Sequence, residues 1–390
     1  MGLDTRLYWN SRCAACAASE HKLSGRTYTV FFKAHSKKRH KVVRTNLPMR
    51  TAVYYSNYDV RIEERPHPAI GSGELLVKVM AAGICGSDVM EWYRRDKVPL
   101  VLGHEISGVV QEVGEGVKHY KRGDRVACAH HVPCGKCPYC LAGHETVCET
   151  LRKTNFDPGG FAELIRIPAI NVEKGVFLLP EDVSFDEATF IEPLACVLRG
   201  QRLAGGIKGK CVLVIGSGIA GVLHILLARY TGAKYILATD VAQYRLAAAR
   251  KFGADDSLAA KEYSPQALRQ ANAGKLADLV IVSAGHPEAI AQAFASVERG
   301  GTILFFAPTD KDSPIPIPFN ALFWRNEITL TSSYAGSPAE YQQALDLISA
   351  GKMNLSRMIT HRMGLADIQE GFRLVAGAKD SLKVIIEPQR

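Results

Sequence analysis

Hydrophobic residues first fall into a regular order after Met49. From there to about Pro193, short apolar runs alternate with polar positions and are separated by glycine turns, at 75–80, 106–113, 123–126 and 161–167. Runs of this length and spacing predict an irregular β-barrel-like domain. Between Cys211 and about Ser333 the texture changes: CVLVIG, YILATD, ADLVIVSAG, GTILFFAP and ITLTSS are apolar runs, with helical segments such as 241–252 between them. Alternating β and α units predict a parallel, doubly wound sheet, so the fold class is α/β. Amphipathic helices near 339–350 and 366–376 and a last strand at 382–387 are expected to return to the first domain. The expected organisation is therefore 49–195, 196–334 and 335–390, preceded by a separate segment of 48 residues.

That first segment has no clear hydrophobic period, and it holds most of the charge. Residues 1–48 contain ten Lys/Arg against two Asp/Glu, whereas the remaining 342 residues contain 38 against 37. A disordered basic extension is expected there. The near-neutral body removes the main reason to expect a nucleic-acid partner, although the formal net charge of the chain is +9. Residues 211–230 are apolar enough to raise a membrane span, but they carry three glycines, His224 and Arg229, so a strand, turn and helix is the expected form and no membrane partner is expected. Ten cysteines without a signal peptide point to a reducing, cytoplasmic setting, in which thiols serve as ligands or packing groups. Cys13 and Cys16 form an isolated CxxC and read as bystanders; Cys128 and Cys211 lie in apolar strands and read as packing.

Three patterns carry chemistry. Gly216-Ser-Gly218-Ile-Ala-Gly221 follows an apolar run and opens a helix, the context in which glycines let backbone N–H groups approach a pyrophosphate. Asp240 ends the next run, where a carboxylate accepts from both ribose hydroxyls and repels a 2′-phosphate, so NAD is expected; Arg245 is expected to border the same cofactor. Cys134, Cys137, Cys140 and Cys148 are spaced to close a tetrahedral, structural zinc site with no open position. Cys85 and His104, on separate segments, pair a thiolate with an imidazole and suit a catalytic zinc that needs a third protein ligand. Glu105, Glu192 and Cys196 are the candidates for that third place. His130 and His131 precede the four cysteines and read as ordinary polar or packed histidines.

GICGSD, VLGHEISGVVQEVG, GDRV, the four-cysteine segment, GGFAE, IEPL and VIGSGIAG occur in an order that resembles the zinc-dependent medium-chain dehydrogenases of the alcohol dehydrogenase superfamily, over residues 49–388. IEPL and GHE are more similar to the polyol and sorbitol branch. The resemblance implies a GroES-like, β-barrel-type catalytic domain, a doubly wound Rossmann NAD-binding domain and two zinc ions per chain. It also implies a small-molecule alcohol or polyol substrate and a homo-oligomer, a dimer or tetramer. The catalytic zinc would be held by Cys85, His104 and a glutamate, with Glu105 and Glu192 binding directly or through water, in exchange. In the implied reaction zinc lowers the pKa of the substrate hydroxyl, Ser87 takes its proton, Asp88 orients a metal ligand, and hydride passes to NAD. Met90 stands where many relatives carry a relay histidine, and Cys196 stands where the simple alcohol branch carries its third ligand. Trp324, Arg325 and Tyr334 are candidate cleft residues. A rival reading, a zinc- and NAD-binding regulator or nucleic-acid-binding protein, draws on the four cysteines and the basic arm, but leaves an open zinc site without a use.

Overall fold

The computed structural model describes residues 47–390. The basic extension and the Cys13–Cys16 pair therefore lie outside the described residues, apart from Leu47 and Pro48. The described residues open with an antiparallel hairpin, β1 (Pro48–Ser56) and β2 (Asp59–Pro66), turned by Asn57 and Tyr58. Next come β3 (Leu75–Gly83), β4 (Glu105–Val113), β5 (Arg125–Cys128), β6 (Leu164–Ile167) and β7 (Val176–Leu178), all paired antiparallel.

Two of these strands start later than the hydrophobic pattern predicts. Gly123, with φ 94°, and Asp124 complete a turn in which Lys121 N–H donates to Asp124 Oδ2 at 2.9 Å, so the ladder begins at Arg125. Phe161 is engaged elsewhere: its N–H donates to Leu102 O at 3.0 Å and its carbonyl accepts from Ala52 at 2.9 Å, so β6 begins only at Leu164.

The second half is a six-stranded sheet in the order β10-β9-β8-β11-β12-β13, every pair parallel. Its strands are β8 (Cys211–Ile215), β9 (Tyr235–Asp240), β10 (Asp256–Ala259), β11 (Ala277–Val282), β12 (Val297–Phe305) and β13 (Thr329–Ser332). Numbered from β8, this is the doubly wound order 3-2-1-4-5-6, and its switch point lies at the carboxyl end of β8, where the glycine fingerprint sits. β8 is buried on both faces, which is why it reads as an unbroken apolar run rather than an alternating one.

The final strands, β14 (Ile359–Gly364) and β15 (Lys383–Glu387), rejoin the first sheet, whose order is β14-β15-β3-β4-β5-β7 with β6 on β3. Between the two sheets runs the helix Ile191–Leu203, with no break at the expected border between residues 195 and 196. Its Leu194, Val197 and Leu198 share a core with Val222, Leu223 and Leu227 of helix Ile219–Tyr230 and with Tyr341, Leu345 and Ile348 of helix Pro338–Ser349. One stiff element thus carries Glu192 at its start and is gripped along its length.

His224 is buried in this region against the Phe306 ring, 4.5 Å between centroids, and beside the Gln201 amide. Burial drives its pKa down to about 3. The unfolded chain protonates below about pH 6.5 while the folded chain stays neutral, so stability is complete above that pH and is lost as pH falls toward 3. For this group alone the loss at pH 5 is about 2 kcal/mol. Replacing His224 with leucine should flatten the pH dependence of the urea midpoint below pH 6.5; an unchanged slope would show that His224 is not the titrating group.

Candidate active site and metal centres

Three strands place the first cluster. Cys85 follows β3, His104 immediately precedes β4, which Glu105 begins, and Lys383 begins β15; in register Gly83 stands opposite both Glu105 and Ile385. The ligand atoms of Cys85, His104 and Glu105 lie within 4.8 Å of one another. Gly83 has no spare volume, because a Cβ there would fall on Glu105 Oε2 and Lys383 Nζ. Glu105 and Lys383 are both buried and form a direct ion pair.

Local hydrogen bonds fix the orientation of Cys85 and His104. Cys85 caps the short 3-10 turn Gly86–Val89, and its own N–H donates to Asp88 Oδ2 at 3.0 Å. The wholly buried Asp88 turns its other oxygen toward His104 Nδ1, at 3.4 Å, leaving Nε2 as the imidazole's free ligand atom. Burial disfavours a charged Asp88, but His104, Arg94 and the Cys85 amide outweigh it and hold its pKa below the ordinary value. Arg94 also donates from Nε and Nη2 to the Ser87 carbonyl at 3.2 and 3.1 Å, which holds the turn closed. The Ser87 hydroxyl donates to Cys85 Sγ at 3.4 Å.

Glu192 and Cys196 reach the same region from the helix Ile191–Leu203. Cys196 Sγ donates to Glu192 Oε1 at 3.4 Å. Burial, with the Glu105 charge adding to it, raises the Glu192 pKa despite the nearby His104. Burial and the Glu192 carboxylate push the Cys196 thiol far above its ordinary value.

The second cluster is Cys134, Cys137, Cys140 and Cys148, whose sulfurs are also mutually within 4.8 Å. Cys137 and Cys140 are 3.5 Å apart and Cys134 and Cys140 are 3.9 Å apart. Four sulfurs bonded at about 2.3 Å to one tetrahedral zinc lie about 3.8 Å from each other, so this set fits the ion. Backbone donors prepare it for charge: Cys137 N–H reaches Cys134 Sγ at 3.3 Å and Cys134 N–H reaches Cys148 Sγ at 3.4 Å. Burial raises the Cys148 thiol, but the amides of Cys134, Leu151 and Thr150 outweigh it and bring its pKa down to about 6.

At the switch point Gly216 takes φ 92°, a left-handed conformation open to glycine. Gly221 packs so closely under that turn that a Cβ would strike the Gly216 carbonyl. Asp240 accepts from Ser217 N–H at 2.7 Å and Ala242 N–H at 2.9 Å, which fixes its carboxylate beside the fingerprint. The guanidinium of Arg245 lies 3.6 Å from where a Gly218 Cβ would be, and its Nε is buried with no partner among the described residues. A glycine cradle, an anchored acid and an unpaired donor fit a dinucleotide phosphate–ribose segment.

Residues 71–180 match the model of the alcohol dehydrogenase GroES-like domain, and residues 220–350 that of zinc-binding dehydrogenase. The chain is 34% identical over 344 residues to L-threonine 3-dehydrogenase of Bacillus velezensis, covering 85% of this chain and 96% of that one. It is 30% identical over 354 residues to sorbitol dehydrogenase of Bacillus subtilis, covering 88% and 98% respectively. This chain belongs to the zinc-dependent medium-chain dehydrogenases. The fold of galactitol-1-phosphate dehydrogenase from Escherichia coli superposes on this dehydrogenase with a TM-score of 0.76 at 30% identity, covering 87% of this chain and all of that one. The protein is an NAD-dependent oxidoreductase with a GroES-like domain and a Rossmann-type domain. Among the described residues no helix is long and apolar enough to cross a membrane.

Several neighbours of the dehydrogenase site left no readable mark in the sequence. Lys383 lies 278 positions from its partner Glu105. His130 and His131, expected to be ordinary polar or packed histidines, form a row of tilted rings with His104: centroids are 4.8 Å apart for His104–His130 and 3.9 Å for His130–His131. His131 Nδ1 faces the Thr154 carbonyl at 2.7 Å and therefore carries the hydrogen. Burial lowers its pKa to about 4. Of the three candidate cleft residues, Tyr334 approaches the site, with its ring 6.4 Å from His131, whereas Trp324 is largely exposed and Arg325 occupies a left-handed conformation, φ 62°, before β13.

Proposed function

We propose that the protein oxidises a secondary hydroxyl of a polyol, sugar, cyclitol or sugar phosphate with NAD. The grouping of Cys85, His104 and Glu105 carries this reading, because three protein ligands, a thiolate, an imidazole and a carboxylate, would leave a tetrahedral zinc one open coordination position. The names of the sorbitol, threonine and galactitol-1-phosphate relatives support a substrate bearing polar groups beside the reacting carbon. When bound, zinc supplies Lewis acidity to the substrate hydroxyl and NAD supplies the hydride acceptor.

The chain's own residues do the rest. Cys85, His104 and Glu105 hold the metal, with Glu192 as the exchanging carboxylate. Asp88 orients His104. Ser87 relays the hydroxyl proton: its oxygen takes that proton as its own hydrogen, directed at Cys85 Sγ in this structure, turns away and is passed on. Met90 has no group to pass that proton on, so it leaves to water or to a cofactor ribose hydroxyl. Gly216, Gly218, Gly221, Asp240 and Arg245 bind the cofactor. Residues 49–195 with 335–390 form the catalytic domain and 196–334 the cofactor domain, in a cytoplasmic homo-oligomer.

The alternative of a primary alcohol or aldehyde is tied to Cys196 as a ligand; its thiol hydrogen is engaged by Glu192, which favours the carboxylate reading.

Assaying NADH formation across a polyol panel, with metal analysis, tests the proposal. Two zinc ions per chain and turnover on a secondary alcohol support it; one zinc and no oxidation of any alcohol would sink it in favour of a regulator. Ser87→Ala should lower kcat by about 100-fold while leaving zinc content intact. Unchanged turnover would remove Ser87 from the chemistry.

A further inference from the structure

Arg199 is the largest of the fully buried side chains, and its charge has no part in the reaction described above. It lies two helical turns beyond Glu192 on the helix Ile191–Leu203. Its guanidinium meets three partners from two other parts of the chain. Nη1 is 3.4 Å from Glu145 Oε2, and Nη2 donates to the Gly143 carbonyl at 3.4 Å. Both acceptors belong to the loop between Cys140 and Cys148, so they move with the four-cysteine lobe.

The third partner is Glu340 Oε1, 3.5 Å from Nη1. Glu340 also accepts from Arg202 at 2.6 Å. Its other oxygen accepts from Ser337 N–H at 2.8 Å and from the Ser337 hydroxyl, capping the helix Pro338–Ser349. Ser337 ends the segment that carries Tyr334. That segment is held tightly: Ala335 is left-handed at φ 51°, and a Cβ on Gly336 would approach Ala195 Cβ to 2.7 Å.

We propose that Arg199 is a positioning residue for the oxidation site. A single buried cation holds the four-cysteine lobe, the helix bearing Glu192 and the segment bearing Tyr334 in one register. Water-exposed ion pairs contribute little, but a buried guanidinium stripped of water has, among the described residues, only these partners, so its geometry constrains all three elements. A metal bound by the four cysteines would stiffen the loop of Gly143 and Glu145, and Arg199 would carry that stiffness to the helix that bears Glu192.

The inference rests on the placement of Glu192 and Tyr334 in the oxidation site. Arg199→Met in the zinc-loaded enzyme removes the charge and keeps the apolar stem. Misplacing a reacting group by an ångström costs up to about 100-fold in rate, and a partial shift should cost about 10-fold in kcat. We expect that loss with two zinc ions retained, faster hydrogen exchange at residues 334–337, altered visible absorption when cobalt replaces the catalytic zinc, and partial recovery in Arg199→Lys. A kcat and KM within twofold of the parent, with an unchanged cobalt spectrum, would overturn the proposal even if the melting temperature falls.

Should Arg199→Met fail to fold, Glu145→Gln removes one partner from a more exposed position and should shift the same readouts about threefold; no shift overturns the proposal. Glu192→Gln, measured in parallel, separates the two readings. No effect of Glu192→Gln refutes the placement of Glu192, whereas an effect of Glu192→Gln with none of Arg199→Met refutes the role of Arg199.

Discussion

Replacing Cys85 with serine should leave one zinc ion per chain instead of two and lower kcat/KM for alcohol oxidation by about 1,000- to 10,000-fold, the several kcal/mol that a bound metal supplies to a developing alkoxide. A serine hydroxyl does not ionise near neutral pH and is a poor ligand beside an imidazole. The other groups around the cluster survive the change. Asp88 still faces His104, and Glu105 still pairs with Lys383. The four-cysteine lobe contains its own complete set of donors, so its metal should be retained and the fold should persist. Metal analysis and steady-state kinetics on the same preparation check both halves. Two zinc ions with full turnover would mean that Cys85 is not a ligand; loss of both would mean that the centres are not independent.

The second large effect is on stability. Lys383→Met should destabilise the metal-free protein by about 3–5 kcal/mol, because it leaves the buried Glu105 carboxylate without its counter-charge. The stem of Lys383 is replaced well enough by methionine, which leaves the charge as the main loss. Its ammonium also sits 5.0 Å above the Phe190 ring, a smaller contribution. Zinc at Cys85, His104 and Glu105 offers the carboxylate another cation. The same substitution should therefore cost less in the zinc-loaded protein, by whatever part of the Glu105 charge the metal takes up. Denaturant midpoints with and without metal measure the difference. Equal costs in both states would show that Glu105 does not face the metal, and a cost below about 1 kcal/mol in both would show that the pair is solvated.

These two experiments address groups of very different legibility. Cys85, His104 and Glu105 stand out in the chain because GICGSD and GHE combine a soft donor, an imidazole and a carboxylate within short turns. Lys383 does not. In the sequence it is one lysine at the start of an apolar run, and only the antiparallel pairing of β15 with β3 brings it against Glu105. Arg199 is similar: on an amphipathic reading it would be a solvated helix arginine, yet it is almost wholly buried. His130 and His131 are packed histidines as expected, but the placement of the His130 ring 4.8 Å from the His104 ring is set by the fold and not by the sequence.

What the sequence by itself determined are the features written within about 20 residues of one another: the β-rich and parallel α/β halves, the glycine fingerprint with Asp240, and the four thiolates. Each depends on periodicity, turn chemistry or ligand spacing, which are local properties. The tertiary structure decided what pairs across the chain. It set the burial of Glu105 with Lys383, the close packing of three histidine rings, and the approach of Glu192, Cys196 and Tyr334 to the metal-ligand cluster. Strand register and helix packing fix those contacts, and their energies arise only after water has been excluded, so no short window of residues encodes them.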